Sequence, residues 1–395
     1  MLSKAYSDDQ PAPERARAYT GILPCQAISE MIEVGDIKAP NIEPGQIQPA
    51  SLDLRLGPYA FPVDTSFLPG ATLGVFEKMA QLDSRHKDFK IDLRDSAVLE
   101  KGRIYLIPLL EEINLKSDVA GFANPKSSTG RLDILTRLIT DRGTAFDQIE
   151  KGYAGKLYLE VVPRTFSIVV KTGARLNQLR FSRMRGAAAA AIPQLEWERL
   201  LGEGQIVRLA DDEKKLSEEK GMLRFSVDLR GDGTDGALIG YRAKRHAPRI
   251  DLDKRDYDPL DFWEPLRVHK NAALVLDPNE FYILMTREAV AVPPDYAAEM
   301  VPYDTRAGEF RVHYAGFFDP GFGWDRATGK AGGSRAVLEV RSHEVPFLLE
   351  HGQTVGWLRY ERMAARPEKL YGQSGDSNYQ NQGLKLAKQF RAIKN

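Results

Sequence analysis

Lys126-Ser127-Ser128-Thr129-Gly130-Arg131 opens the stretch on which the reading of this 395-residue chain turns. It is followed by Phe146-Asp147-Gln148-Ile149-Glu150-Lys151-Gly152-Tyr153-Ala154-Gly155, by Leu157-Tyr158-Leu159-Glu160 and by Asn177-Gln178-Leu179-Arg180-Phe181. The Ser127 and Ser128 hydroxyls, set with Thr129 between the cations Lys126 and Arg131, suit a polyphosphate, because charge-assisted hydrogen bonds to phosphate oxygens are short and strong. Lys156-Leu-Tyr-Leu-Glu-Val-Val alternates as a strand does, yet it carries a carboxylate. Burial of that group is costly without a partner, so Glu160 calls for one or for a task. Short apolar runs split by Gly, Pro and Asp continue through residues 58–183, which predicts an all-β barrel or sandwich.

Working outward, residues 1–20 read as a polar arm, and Gln26 to Val34 has helical periodicity with Gly35 as its stop. Ile47-Gln-Pro-Ala-Ser-Leu-Asp-Leu-Arg-Leu-Gly57 reads as a strand and turn. Beyond Ser182 the composition changes: Gly186 and the alanines 187–191 form a connector, and Pro193 to Lys220 is charged and partly helical. The first half then echoes. Ser51-Leu-Asp-Leu-Arg55 returns as Ser226-Val-Asp-Leu-Arg230, Phe146-Asp147 as Phe318-Asp319, Leu159-Glu160-Val161 as Leu338-Glu339-Val340, and Leu179-Arg180-Phe181 as Leu358-Arg359-Tyr360. Four ordered matches at a near-constant offset indicate a tandem duplication. The expected organisation is an arm (1–20), a first β-barrel (21–185), a linker (186–220), a second, degenerate barrel (221–363) and a tail (364–395). That tail holds the polar, glycine-rich Tyr371 to Gly383, which suits a lid, and then a short basic helix to Asn395.

The totals exclude several classes. Basic and acidic residues balance at 55 each, so no global field draws in nucleic acid or an anionic membrane. No apolar run is long enough to span a bilayer, which leads to the expectation of a soluble, cytoplasmic protein. Cys25 is the one cysteine and the six histidines lack metal-site spacing, so no zinc site is expected. Gly231-Asp-Gly233-Thr-Asp-Gly236 fits a dinucleotide-binding glycine pattern, but no helical run follows it. Gly323 to Lys330 is one residue too long for a phosphate-binding loop and lacks its Ser/Thr.

Taken together, Lys-Ser-Ser-x-x-Arg, an Asp before Gly-Tyr-x-Gly, Leu-Glu, Asn-Gln-Leu-x-Phe, the early Ile-Gln-Pro-Ala-Ser-Leu-Asp-Leu-Arg-Leu-Gly and the late Tyr-Gln-x-Gln-Gly resemble the dCTP deaminases of the dUTPase-like superfamily. The resemblance implies a mainly β fold: a distorted, jelly-roll-like β-barrel, here in two tandem copies joined by the partly helical linker. It implies trimer-type assembly of barrels with sites between neighbours. Glu160 would be the catalytic acid or base. Lys126, Ser127, Ser128, Thr129, Gly130 and Arg131 would bind the triphosphate, Asp147 the deoxyribose, and Tyr158 and Leu159 would flank the base. Tyr371, Asn378 and Gln382 would fold over the nucleotide. The chain departs from the family in carrying Lys126 for an arginine, Asn378 for a tail lysine and a longer turn after Asp147. In the second copy Asp304-Thr305-Arg306 replaces the hydroxyl pair although Asp319 and Glu339 persist, so Glu339 reads as structural and the competent cradle falls in the first copy.

The implied reaction is hydrolytic deamination of dCTP to dUTP and ammonia, supplying dUTP for thymidylate synthesis. Most nucleobase deaminases activate water on zinc held by His and Cys. With one cysteine that route is closed here, so a carboxylate must move the protons, and a desolvated Glu160 suits the task. Magnesium would arrive on the triphosphate. A dUTP diphosphatase or a bifunctional dCTP deaminase/dUTPase using Asp147 is the runner-up, and a nucleotide sensor without turnover is the alternative of another class.

Overall fold

In the computed structural model the described residues are 20–83, 88–184, 192–208, 218–219, 222–268, 271–302, 310–313, 316–342, 344–373 and 383–392. The N-terminal arm up to residue 19, the alanine run, Asp304 to Arg306, and the tail positions Asn378 and Gln382 lie outside them. The fold is mainly β.

In the first half, Val119–Pro125, Arg175–Arg183 and Leu52–Arg55 run antiparallel in one sheet, extended by Gly21–Ile22 and Gln148–Ile149. A second sheet sets Tyr59–Val63, Ile104–Asn114, Ala154–Pro163 and Ile134–Thr140 side by side. The second half repeats the order. Tyr296–Pro302, Thr354–Arg362 and Met222–Ser226 form the counterpart of the first sheet. Leu238–Ala243, Phe281–Val290, Ser334–Ser342 and Phe310–His313 form the counterpart of the second. The repeated motifs therefore occupy equivalent strands.

Strand alternation decides where the two glutamates point. Leu157, Leu159 and Val161 are fully buried in the core, as are Leu338 and Val340. With a side-chain period of two, Tyr158, Glu160 and Glu339 lie on the opposite, outer faces of their sheets. What such a glutamate meets depends on what packs against the outside.

Helices lie close to where periodicity put them: Cys25–Glu33 buries Cys25, Ala27, Ile28 and Met31, and Gln194–Gly202 buries Trp197 and Leu200. The C-terminal helix does not form in residues 383–392. Its backbone pairs with a neighbouring loop instead: Tyr257 N–H donates to the Gln389 carbonyl (3.0 Å) and Arg391 N–H to the Tyr257 carbonyl (3.1 Å).

The two halves share a core. Phe166 of the first half meets Phe262 and Trp263 of the second edge-on, at centroid distances of 5.8 and 5.5 Å. Ile168–Val170 pairs in parallel with Ile250–Asp251. At the chain entry Ala364 N–H donates to the Ile22 carbonyl at 2.8 Å. Gly21 permits this approach: its φ is +141°, and a Cβ there would lie 2.4 Å from the Arg362 carbonyl oxygen. Gly21→Ala is expected to lower stability by about 1–3 kcal/mol, read as the shift of the urea midpoint. An unchanged midpoint would mean that the junction is looser than described.

A buried ion pair also bridges the halves. Asp133, held at φ 54° after the cradle, is fully buried against Arg341, which stands two residues beyond Glu339 on the same strand face. Thr165 donates its hydroxyl to Asp133 (2.6 Å) and accepts from Arg341 (2.9 Å), so all three side chains are satisfied.

Candidate active site

The cradle is a tight turn. Thr129 and Gly130 N–H both donate to the Lys126 carbonyl, at 2.8 and 2.9 Å, closing the short helical segment Ser127–Gly130. Lys126 N–H is fixed on the Leu176 carbonyl (3.0 Å). The Ser-Leu-Asp-Leu-Arg strand beneath contributes more than core leucines: Asp53 Oδ2 holds Lys126 Nζ at 2.5 Å, and Arg55 is paired with Glu111 at 2.8 Å. Arg131 Nη1 donates to the carbonyl of Lys385, so the cradle is tied to the C-terminal segment.

The cradle opens toward the second half. Lys126, Ser127, Ser128, Gly130, Arg131 and Gln178 line a cavity of about 450 Å³ together with Phe318, Asp319, Val337, Glu339, Tyr371 and Lys388. That volume suits a small-molecule ligand. Phe318, Phe322 and Tyr371 form an aromatic wall, with successive centroids 5.0 and 5.7 Å apart. Arg180 of the first half reaches across to Asp319 (3.3 Å) and donates to the Ala298 carbonyl (3.1 Å) while stacking on Phe317.

Glu339 is one of the carboxyls of this cavity, with Asp319 and Asp53. It is 5% exposed, and burial pushes it up to about 8, with the Arg131 charge opposing the rise. Burial likewise raises the Asp319 carboxyl, against the pull of Arg180. A carboxyl balanced near neutrality can both take and return a proton.

Within one chain the structure does not bring Glu160, Asp147, Tyr158 and Leu159 to this cradle. None of the four lines the cavity. Glu160, on the outer face of its own sheet, receives Arg137 Nε at 2.8 Å, and Arg137 is itself fixed by Ser66 (2.7 Å) and stacked on Phe146. Tyr158 packs edge-on against Phe76 in a satellite cluster with Phe61, Val75 and Met79, and Leu159 is core. Asp147 locks its turn: at φ 60° its Oδ1 accepts from Leu138 N–H (2.8 Å), and burial pushes it up to about 7. The second-half counterparts Asp319, Val337 and Glu339 are the residues brought to the cradle, because the first half packs on the outer face that carries them. Thr129 is buried behind the turn and lines a smaller adjoining cavity.

Glu339 was the principal residue that sequence reading left out of the site, since its own repeat lacks the hydroxyl pair. The available signal was complementary loss: a repeat that keeps its carboxyl but not its cradle can serve the cradle of the other. Among the described residues no three His, Cys, Asp or Glu side chains converge as a metal site, and no helix is long and apolar enough to cross a membrane.

The comparisons with known proteins agree with the duplicated architecture. Residues 19–185 match the family model "2'-deoxycytidine 5'-triphosphate deaminase (DCD) N-terminal domain", and residues 196–390 match the C-terminal domain of the same family. A protein of Methanoculleus marisnigri named "dCTP deaminase, dUMP-forming" is 32% identical over 164 residues, 41% of this chain and 80% of its own length. The dCTP deaminase of Pyrobaculum aerophilum is 27% identical over 168 residues, 42% of this chain and 87% of its own. The crystal structure of 2'-deoxycytidine 5'-triphosphate deaminase from Agrobacterium tumefaciens superposes with a TM-score of 0.79 at 49% identity, covering 89% of this chain and all of that one. From the cradle of its first half to the buried carboxyl of its second, the chain belongs to the 2'-deoxycytidine 5'-triphosphate deaminase family.

Proposed function

We propose that the chain deaminates dCTP by water attack, using one composite site in which the first half holds the triphosphate and the second half works on the base. The observation that carries this reading is the shared cavity: Lys126, Ser127, Ser128 and Arg131 on one wall, Glu339 and Asp319 on the other. The triphosphate lies on the cradle, with magnesium arriving as part of the substrate. Asp319, oriented by Arg180, meets the deoxyribose. Ala336 and Val337 flank the cytosine, and Tyr371 covers it together with the tail positions Asn378 and Gln382. Each half is a distorted, dUTPase-like β-barrel, bounded as the sequence suggests, in a soluble cytoplasmic enzyme.

Glu339 takes a proton from water as the hydroxyl adds to C4, and N3 is protonated. The proton of the new hydroxyl then passes to the amino group, the C4–N bond breaks, and ammonia leaves as C4 becomes a carbonyl. Burial of Glu339 holds its pKa near the working pH, where one group serves both steps.

The contact between halves is head-to-tail: Arg180 crosses to Asp319, whereas its counterpart Arg359 pairs with Glu299 of its own half at 2.8 Å. A contact of that kind leaves a complementary face on each half, which supports association of several chains into a trimer-type ring of barrels. The decisive assay incubates the protein with dCTP and magnesium and follows ammonia, dUTP, dUMP and pyrophosphate. Ammonia with dUTP is expected. Ammonia with dUMP and pyrophosphate would make the enzyme bifunctional, and binding without turnover would favour a sensor.

A further inference from the structure

Lys388 stands apart from the residues that the reaction uses. It lines the main cavity beside Lys126, Ser128 and Arg131, and it also lines the adjoining cavity behind the cradle with Arg175. Its ammonium makes no ion pair among the described residues; Asp53, the carboxylate at this end, is engaged by Lys126 at 2.5 Å and faces Arg175 at 4.0 Å. Burial, followed by the charges of Arg255 and Lys126, pushes Lys388 down to about 8. An isolated cation kept half-buried among other cations is unfavourable unless an anion arrives.

The backbone around it is fixed. Ala387 and Phe390 are buried, Phe390 against Phe262 with centroids 5.3 Å apart. Gln389 Nε2 donates to the Leu252 carbonyl at 3.1 Å, and Arg255 Nη1 to the carbonyl of Lys388 itself at 3.3 Å. The Arg131 contact to Lys385 links this segment to the cradle. Lys388 is thus held in place before any ligand enters, which lowers the entropy lost on binding.

We propose that Lys388 is a phosphate-binding residue: an ammonium that the C-terminal segment delivers to the phosphate end of the cavity, completing the cradle of the first half. The inference rests on the reading of the site as a nucleoside triphosphate site, and it adds a residue to that site. Lys388 contributes binding rather than chemistry, because the carboxyl that moves protons is on the opposite wall.

The test compares wild type, Lys388→Met and Lys388→Arg in dCTP turnover and in thermal stabilisation by inorganic tripolyphosphate. Loss of one charge-assisted phosphate contact is expected to raise KM for dCTP by about 10- to 100-fold with kcat within about threefold. Stabilisation by tripolyphosphate should weaken in parallel, and Lys388→Arg should recover most of both. A merely structural residue would lower the stability of the ligand-free protein without this KM–kcat split. Unchanged KM together with unchanged tripolyphosphate binding in Lys388→Met would overturn the proposal. If that variant does not fold, Lys388→Gln in the same assays decides. Should wild type fail to turn over dCTP, the functional reading falls, and the tripolyphosphate measurement still judges Lys388.

Discussion

Glu339→Gln is expected to lower kcat on dCTP by about 10²–10⁴-fold, the usual contribution of a positioned proton-transfer group. Glu160→Gln should leave kcat within about fivefold while reducing stability by about 1–3 kcal/mol, since it weakens the bond from Arg137 to a buried carboxyl. The pH behaviour supplies a second readout. The Glu339 carboxyl is raised in the folded protein, so the fold is favoured fully below the ordinary carboxylate range and loses that advantage as pH rises toward about 8. The neutral amide of the Glu339→Gln variant carries no such penalty. That variant should therefore match wild type near pH 5 and melt a few degrees higher, roughly, at pH 8.5. In wild type the acid limb of kcat/KM should reflect the same raised group. An inactive Glu160→Gln beside a fully active Glu339→Gln would sink the composite site and move the chemistry to a contact between chains.

The second large effect is expected at the bridge between halves. Arg341→Met removes the guanidinium that faces the fully buried Asp133 carboxylate, and breaking a buried pair in this way costs about 3–5 kcal/mol. Because Arg341 shares a strand face with Glu339, the same change should lower kcat. The double variant Asp133→Asn with Arg341→Met should recover part of the stability, since no uncompensated charge remains. Urea unfolding with steady-state turnover on the same preparations checks both. Additive losses in the double variant would show that the two charges act independently.

The sequence told much of this because its signals were local. Alternation in Leu157 to Val161, the turn chemistry of Lys126 to Arg131 and the ordered echoes are properties of neighbouring residues, and strands and cradle lie where they indicate. The helix Cys25–Glu33 likewise follows from its own periodicity. What could not be read was which half covers which outer face. Glu160 and Glu339 stand in equivalent strands with equivalent neighbours, and they differ in what packs against them: Arg137 and Ser66 for one, the cradle of the other half for the second. Both carboxyls are buried, and the cavity beside Glu339 is what supports the proposal that the second copy, rather than the first, supplies the proton-transfer group. Lys388 escaped for the same reason, because its position depends on a segment whose backbone is held by residues far earlier in the chain.

The head-to-tail junction has an evolutionary consequence. Where identical barrels assemble from separate chains, every copy must carry both a cradle and an acid, and dilution can part them. In the composite site proposed for this chain, a covalent tether keeps the two half-sites at high effective concentration. Each copy can then specialise. The second is released from keeping the hydroxyl pair that Asp304 and Thr305 replace. The first can turn its own glutamate into a strut for Arg137. On that proposal a symmetric duplication becomes a division of labour, in which neither half is redundant and neither is complete.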